Sequence, residues 1–394
     1  MILRLPAGHR SARSLGRFTP VGRLVAAGIV AAASLIAFLL AETMMAADLG
    51  DLRLNQIQVI GTHNSYHRAP APGLLRWLAL AGQANARAFD YTHRPLSEQF
   101  TLLQIRQIEL DLFADPQGGH YASPAYFRLL REQGLEPGPD PNAGGVLEAP
   151  GLKVFHVQDV DFLSTTPTFI HALTQVRDWS RAHPRHVPLL ILVELKDETH
   201  PLLPTRPVPF ERAQVEQVDG EIRRVFSRAE LFVPDDLRRD CSTLPEAIRR
   251  FGWPRVDELR GRILFALDNE DAIRDRYLED HPALRERLMF ASVSEDHPAA
   301  AWFKVNDAPR DFARIQRLVQ AGFVVRTRAD TGPDDARHHR TSRRDQAFAS
   351  GAQWISTDYP EPRSDWSAYQ VRWEDGGEFR RNPVTAPPPQ PSEE

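Results

Sequence analysis

Cysteine is almost missing from this chain: Cys241 stands alone in 394 residues. An intramolecular disulfide is therefore excluded, and stability has to come from a packed core, for which the chain is long enough. No run of Lys and Arg is long enough to follow a phosphate backbone, which argues against nucleic acid as a partner. No internal repeat recurs, so a solenoid or propeller is excluded. Acidic residues are absent before Glu42.

That last absence turns into a positive signal. Arg4, Arg10, Arg13, Arg17 and Arg23 lead into an apolar run over 24–41, and Ala46 and Ala47 follow. A basic start, an apolar middle and small residues at the end make a targeting segment. The run is nearly long enough to span a bilayer. Residues 1–47 therefore read as a cleaved signal peptide or a retained N-terminal membrane anchor, and either one makes the domain an exported one, periplasmic or secreted. The segment holds five Arg and one Glu, so without it the net charge moves from −4 to −8. An acidic domain is not drawn electrostatically to anionic lipid, so any membrane contact has to be apolar and local.

Beyond residue 47 the pattern alternates between short apolar runs and helical stretches. Strands are expected at 57–60, 107–113, 152–157, 187–196, 263–267, 289–293, 323–327 and 354–357. Residues 187–196 carry the clearest of them, a continuous apolar run of the kind found in a parallel sheet covered on both faces. Helices are expected through much of 70–106, over 168–182 and between 210 and 250. Residues 114–151 are rich in Gly and Pro and form a long insertion with a short helix near 126–131. Eight strands alternating with helices fit an α/β TIM-type (β/α)8 barrel over 48–373. Residues 374–394, rich in Gly, Pro and Glu, are expected to be a disordered tail.

In such a barrel the functional groups gather at the C-terminal ends of the strands. His63 and Asn64 end the first run, in Val59-Ile60-Gly61-Thr62-His63-Asn64. Alternation puts Glu109 and Asp111 on one face of the second strand, although a half-buried surface strand would read the same way. His156 closes the third, Glu194 and Lys196 the fourth, and Arg326 sits near the end of the seventh, with Arg328 and Asp330 after it at alternate positions. Asn64, Glu109, Asp111 and Glu194 would form a cage of hard oxygens suited to Ca2+ or Mg2+. Two histidines beside such a cage are an acid–base pair for displacement at phosphorus.

These segments resemble a known family. Ile60-Gly61-Thr62-His63-Asn64-Ser65-Tyr66, Ile108-Glu109-Leu110-Asp111, Val154-Phe155-His156 and Leu192-Val193-Glu194-Leu195-Lys196 resemble the catalytic motifs of phosphoinositide-specific phospholipase C, in its bacterial calcium-dependent form. The stretches 325–330 and 351–360 resemble that group's last strands. The resemblance spans about 54–362 and implies a PLC-like phosphodiesterase barrel with Ca2+ as cofactor. It implies His63 and His156 as catalytic, Asn64, Glu109, Asp111 and Glu194 as calcium ligands, and Lys196, Arg326, Arg328 and Asp330 as substrate-binding. The implied substrate is phosphatidylinositol or a related phosphodiester lipid at a membrane surface, cleaved to diacylglycerol and a cyclic inositol phosphate. No protein partner is implied. The membrane-targeting modules of the eukaryotic enzymes are missing, and the 114–151 insertion separates two motif strands.

Other polar residues have simpler readings. His67, His93, His120 and His171 read as solvated or structural. Asp159 and Asp161 read as solvated loop acids or outer partners of the site. Lys196 could pair with Glu194 or Asp197, Arg326 and Arg328 could form an ion-pair ladder, and Asp358 could cap a turn. Trp77, Trp302 and Phe303 read as core. Two other functions compete. A glycerophosphodiester phosphodiesterase would share the barrel and resembles the chain at Thr357-Asp358-Tyr359-Pro360, but that class begins with His-Arg where this chain has His63-Asn64. A catalytically dead exported binding protein would have no need to keep both histidines and all four oxygen ligands.

Overall fold

Ten strands form in the computed structural model, which describes residues 51–388. They are β1 (Ile57–Thr62), β2 (Gln107–Phe113), β3 (Lys153–Val154), β4 (Leu189–Leu195) and β5 (Ile263–Leu267). The others are β6 (Met289–Ala291), β7 (Trp302–Asp307), β8 (Val324–Arg328), β9 (Trp354–Thr357) and β10 (Arg380–Arg381). The targeting segment expected at 1–47 lies outside the described residues. Among them, no helix is long and apolar enough to cross a membrane.

Eight of the strands run parallel in the order β6-β5-β4-β2-β1-β9-β8-β7. The ring is nearly closed. At the seam β6 and β7 share no backbone ladder, and the Lys304 N–H donates instead to Ser292 Oγ at 3.2 Å. β1, β2, β5, β6 and β9 are buried along their whole length. That is the condition a parallel sheet demands: side chains fill the inside while helices cover the outside. The helix Phe169–Ala182 is one cover. Thr168 Oγ1 accepts the His171 N–H at 3.3 Å as its N-cap, a contact worth about 1 kcal/mol, and Ala172, Leu173 and Val176 are buried.

The third expected strand is not a barrel stave. Only Lys153–Val154 pairs, antiparallel, with the C-terminal end of β2 at Leu112 and Phe113. This flap carries His156 to the rim without adding to the ring. The missing stave is β7, which the sequence reading took as core aromatics around Trp302 and Phe303. Both are buried, but on a strand that goes on through Lys304, Asn306 and Asp307. The tail expected to be disordered from Glu374 also contains structure. β10 pairs antiparallel with the start of β1, Ile57 opposite Arg381, and the buried Asn382 donates through Nδ2 to Gly351 O at 2.6 Å.

On the rim, the helices Pro72–Ala81 and Ala125–Glu132 build an apolar cluster from Leu74, Leu78, Phe127, Leu130, Phe162 and Leu163. The insertion is tied down by Asp159, which sits in the left-handed region at φ 69°. Its carboxylate accepts from Ala125 N at 2.7 Å, Thr205 N at 2.8 Å and Thr205 Oγ1 at 2.7 Å.

Candidate active site

The loop after β1 leaves the barrel through a tight contact. A side chain at Gly61 would bring its Cβ within 2.1 Å of Gln107 Oε1 and 2.7 Å of Gln107 Cβ, so only glycine fits beside β2 there. The β1–β2 ladder is a single register pair, Gly61 with Gln107. Beyond it side chains replace the ladder. Ser65 N donates to Glu109 O at 2.9 Å, and Glu109 N donates to Ser65 Oγ at 2.8 Å. Thr62 Oγ1 lies 2.7 Å from Gln99 Oε1, and Gln99 Nε2 donates to Ser65 O at 2.7 Å. Asn64 takes φ 45°, a left-handed turn that Asn tolerates better than most residues. The chain is thereby fixed with His63 at the mouth and Asn64 buried.

His63 is part of a buried charge network. Its Nδ1 lies 2.7 Å from Asp358 Oδ1, and Arg328 Nη1 lies 3.1 Å from Nε2. A carboxylate accepts and a guanidinium donates. The neutral tautomer with the proton on Nδ1 therefore satisfies both contacts and leaves the lone pair on Nε2. Arg328 Nη2 also donates to Asp358 Oδ2 at 2.8 Å. Burial first, and then the Arg328 charge, pull the His63 imidazole down to about 3. Asp358 moves the same way: burial opposes its charge, but His63 and Arg328 outweigh it and hold the carboxyl below its ordinary range. Asp358, a turn cap in the sequence reading, is thus the group that orients His63.

Asp330 lies beneath, fully buried. It accepts from Asp358 N at 2.9 Å and Tyr369 OH at 3.2 Å, and from Thr357 Oγ1. Burial, and then repulsion from Asp358, push its carboxyl up to about 7. It fastens the end of β9 and does not reach the mouth.

The acidic cluster comes together as expected. Glu109, Asp111 and Glu194 each bring one carboxylate oxygen within 4.8 Å of the others, on the adjacent strands β2 and β4. Burial, then repulsion from Glu194, hold the Asp111 carboxyl well above its usual range. Burial raises Glu109 to about 7 against the pull of Arg326. Lys196 Nζ stands 3.2 Å from Glu194 Oε1 and 3.5 Å from Asp111 Oδ2. Burial opposes its charge, but Asp111 and Glu194 outweigh it and hold the ammonium above its ordinary value.

Both Asp111 carboxylate oxygens and Asn64 Oδ1 are buried without a hydrogen-bond partner, while Asn64 Nδ2 donates to Tyr91 OH at 3.0 Å. Orphaned buried acceptors are costly. A hard cation bound by Asn64, Glu109, Asp111 and Glu194 relieves that cost, so the donor set fits Ca2+. Arg326 is buried and acts on this set from below, with Nη2 2.5 Å from Glu109 Oε2 and a second bond to Asn306 Oδ1. It braces Glu109 and is not exposed at the mouth.

His156 has its own carboxylate. Its Nδ1 lies 2.7 Å from Asp161 Oδ2. Asp161 also receives His67 Nε2, at 2.9 Å from Oδ1 and 2.8 Å from Oδ2. Burial opposes the Asp161 charge, but the two histidines outweigh it and bring the carboxyl down to about 2. Sequence reasoning offers Asp161 only as a solvated loop acid or an outer partner of the site and Asp358 only as a turn cap, and pairs neither with a histidine. It also passes over Asp268, which closes β5 and accepts from Lys304 Nζ of β7 at 2.8 Å. The available signal was position: each acid follows a strand end or a motif histidine.

The sequence profile described as phosphoinositide phospholipase C, Ca2+-dependent, matches residues 52–383. No curated protein matches the chain in sequence. Among solved structures, a calcium-dependent phosphoinositol-specific phospholipase C from a Gram-negative bacterium, Pseudomonas sp, in its apo form, superposes with a TM-score of 0.53 at 15% identity, covering 84% of this chain and 96% of that one. The myoinositol complex of that enzyme gives a TM-score of 0.52 at 15% identity over the same shares. A Ca2+-dependent phosphatidylinositol-specific phospholipase C from Streptomyces antibioticus gives 0.47 at 17% identity, over 78% and 95%. The superpositions are a likeness of fold. The profile match runs over most of the chain, from β1 through β10, and with it the chain belongs to the Ca2+-dependent phosphoinositide phospholipase C family.

Proposed function

We propose that this chain is an exported enzyme that cleaves phosphatidylinositol by attack of an inositol hydroxyl on its own phosphodiester. Neutral His63, with Nε2 free of a proton, takes the proton of the attacking hydroxyl. The new O–P bond forms as the bond from phosphorus to the diacylglycerol oxygen breaks. His156, its Nδ1 turned to Asp161, gives a proton from Nε2 to that leaving oxygen. The products are diacylglycerol and a cyclic inositol phosphate, which water opens by the reverse proton transfers.

Asn64, Glu109, Asp111 and Glu194 would hold Ca2+, which when bound would supply positive charge for the phosphoryl oxygens and make the attacking hydroxyl more acidic. Arg328 caps the His63 lone pair in this geometry, so an incoming phosphodiester has to draw the guanidinium onto itself to free the base. Lys196 stands beside the cluster as a second cation for the phosphate. The related Pseudomonas enzyme is known with myoinositol bound, in keeping with an inositol headgroup here.

The observation that carries this reading is the pairing of two histidines with separate buried carboxylates, Asp358 and Asp161, with His63 Nε2 3.5 Å from Glu109 Oε1 of the acidic cluster. The test is His63→Ala and His156→Ala, each checked for folding by circular dichroism. Both are expected to abolish phosphatidylinositol cleavage. Full activity in either folded variant overturns the reading.

A further inference from the structure

His67 follows the catalytic motif and looks in sequence like a spare histidine. It is fully buried, and its backbone is fixed by bonds to Asn64 O at 2.8 Å and from His93 N at 2.9 Å. The ring stacks on Tyr91, with centroids 4.1 Å apart and planes 19° apart. Nδ1 faces the Tyr91 carbonyl at 3.0 Å, and Nε2 faces both Asp161 oxygens. A carboxylate only accepts, so Nε2 is the nitrogen that donates to Asp161. Among the described contacts, Asp161 Oδ1 has no side-chain partner besides His67, and Oδ2 shares its acceptance between His67 and His156. Without His67, that carboxylate is free to turn about its own axis and abandon the His156 ring.

We infer that His67 is a positioning residue for the reaction: by clamping Asp161 it fixes the ring of His156 with Nδ1 bonded inward and Nε2 turned to the substrate. This rests on His156 acting as the second proton-transfer group. The short contacts of 2.7 and 2.8 Å suit shared protons better than a metal bridging the same three residues.

Two amides separate this role from mere packing. In His67→Gln the amide nitrogen overlies Nε2 and still donates to Asp161. In His67→Asn it overlies Nδ1 and donates only toward Tyr91 O. Kinetics on phosphatidylinositol vesicles with saturating Ca2+ are expected to show His67→Asn losing about 10–100-fold in kcat with KM little changed. His67→Gln should recover most of that loss. Equal activity in the two variants, or a loss confined to KM, overturns the inference. Nitrogen-15 NMR of the histidine rings in the wild-type chain guards against unfolded variants. The expected signature is a proton on His67 Nε2, the nitrogen that faces Asp161, and a bare Nε2 overturns the inference. That measurement needs no turnover, so a wild-type chain that cleaves no phosphatidylinositol removes the catalytic reading while the His67 contact is still read.

Discussion

Asp358 and His63, 295 positions apart in the chain, meet with Oδ1 2.7 Å from Nδ1. The same carboxylate binds Arg328, so a single acid sets both the tautomer of the base and the position of its neighbouring cation. In Asp358→Asn the amide would offer a donor to Nδ1 and reverse the tautomer. The expected result is a fall in kcat of roughly three orders of magnitude, with KM changed far less. Steady-state kinetics on phosphatidylinositol checks it, and a loss under tenfold would remove Asp358 from the catalytic account.

Asp111 presents two buried oxygens without a hydrogen-bond partner, and repulsion from Glu194 adds to the strain of burial. In EGTA, therefore, Asp111→Asn is expected to melt no lower than wild type. On adding Ca2+, wild type should gain several degrees in Tm, because a ligand that binds only the folded chain stabilises it. The variant should gain almost nothing. Thermal melts with and without Ca2+ decide the point, and an equal Ca2+ shift in both proteins would exclude Asp111 as a ligand.

His186 is buried away from the mouth, with Nδ1 2.6 Å from Val187 O and Nε2 2.8 Å from Ser180 Oγ. Burial brings its pKa down to about 4 in the folded chain. Between pH 6.5 and 4 the unfolded chain takes up a proton there and the folded chain does not, so stability falls as pH falls through that window. From pH 7 to pH 5 this group alone costs about 2 kcal/mol. Urea denaturation at the two pH values should show wild type losing that much more than His186→Gln. The same loss in both would contradict the buried neutral ring.

Gly61 is the residue that lets β1 lie against Gln107. Gly61→Ala forces one of the two to move and is expected to destabilise the domain by about 1–3 kcal/mol. Adding Gln107→Ala should recover part of that loss despite removing the 3.2 Å bond from Gln107 Nε2 to Thr62 O. Additive losses in the double variant would show that the clash is not the cause.

Periodicity revealed most of the barrel, through continuous apolar runs in β4 and β5, alternation in β2 and short apolar stretches in β1, β8 and β9, all of which stand near their expected positions. β7 escaped because Lys304, Asn306 and Asp307 interrupt its pattern on the seam side of the ring. The apolar run around Val154 misled for the opposite reason, since its burial comes from a flap on β2 and not from a stave. Residues 374–381 read as tail by composition, yet the backbone at Arg380 and Arg381 finds a partner in β1. The residues that face the site were legible as types at strand ends. The pairing of Lys196 with Glu194 was legible too, but the partners of the histidines were not, because a loop aspartate looks the same in sequence whether it is solvated or bonded to a histidine far along the chain. Asp161 reaches His67 across 94 positions, and only the fold brings them together.

The central claim is that these groups perform Ca2+-dependent cleavage between phosphorus and the diacylglycerol oxygen. Phosphorus-31 NMR of phosphatidylinositol vesicles incubated with the enzyme tests it most directly, with glycerophosphodiesters run alongside. A cyclic inositol phosphate signal with release of diacylglycerol is expected, abolished by EGTA and restored by Ca2+. Release of glycerol 3-phosphate from the glycerophosphodiesters, or cleavage of phosphatidylinositol indifferent to both EGTA and EDTA, would contradict it.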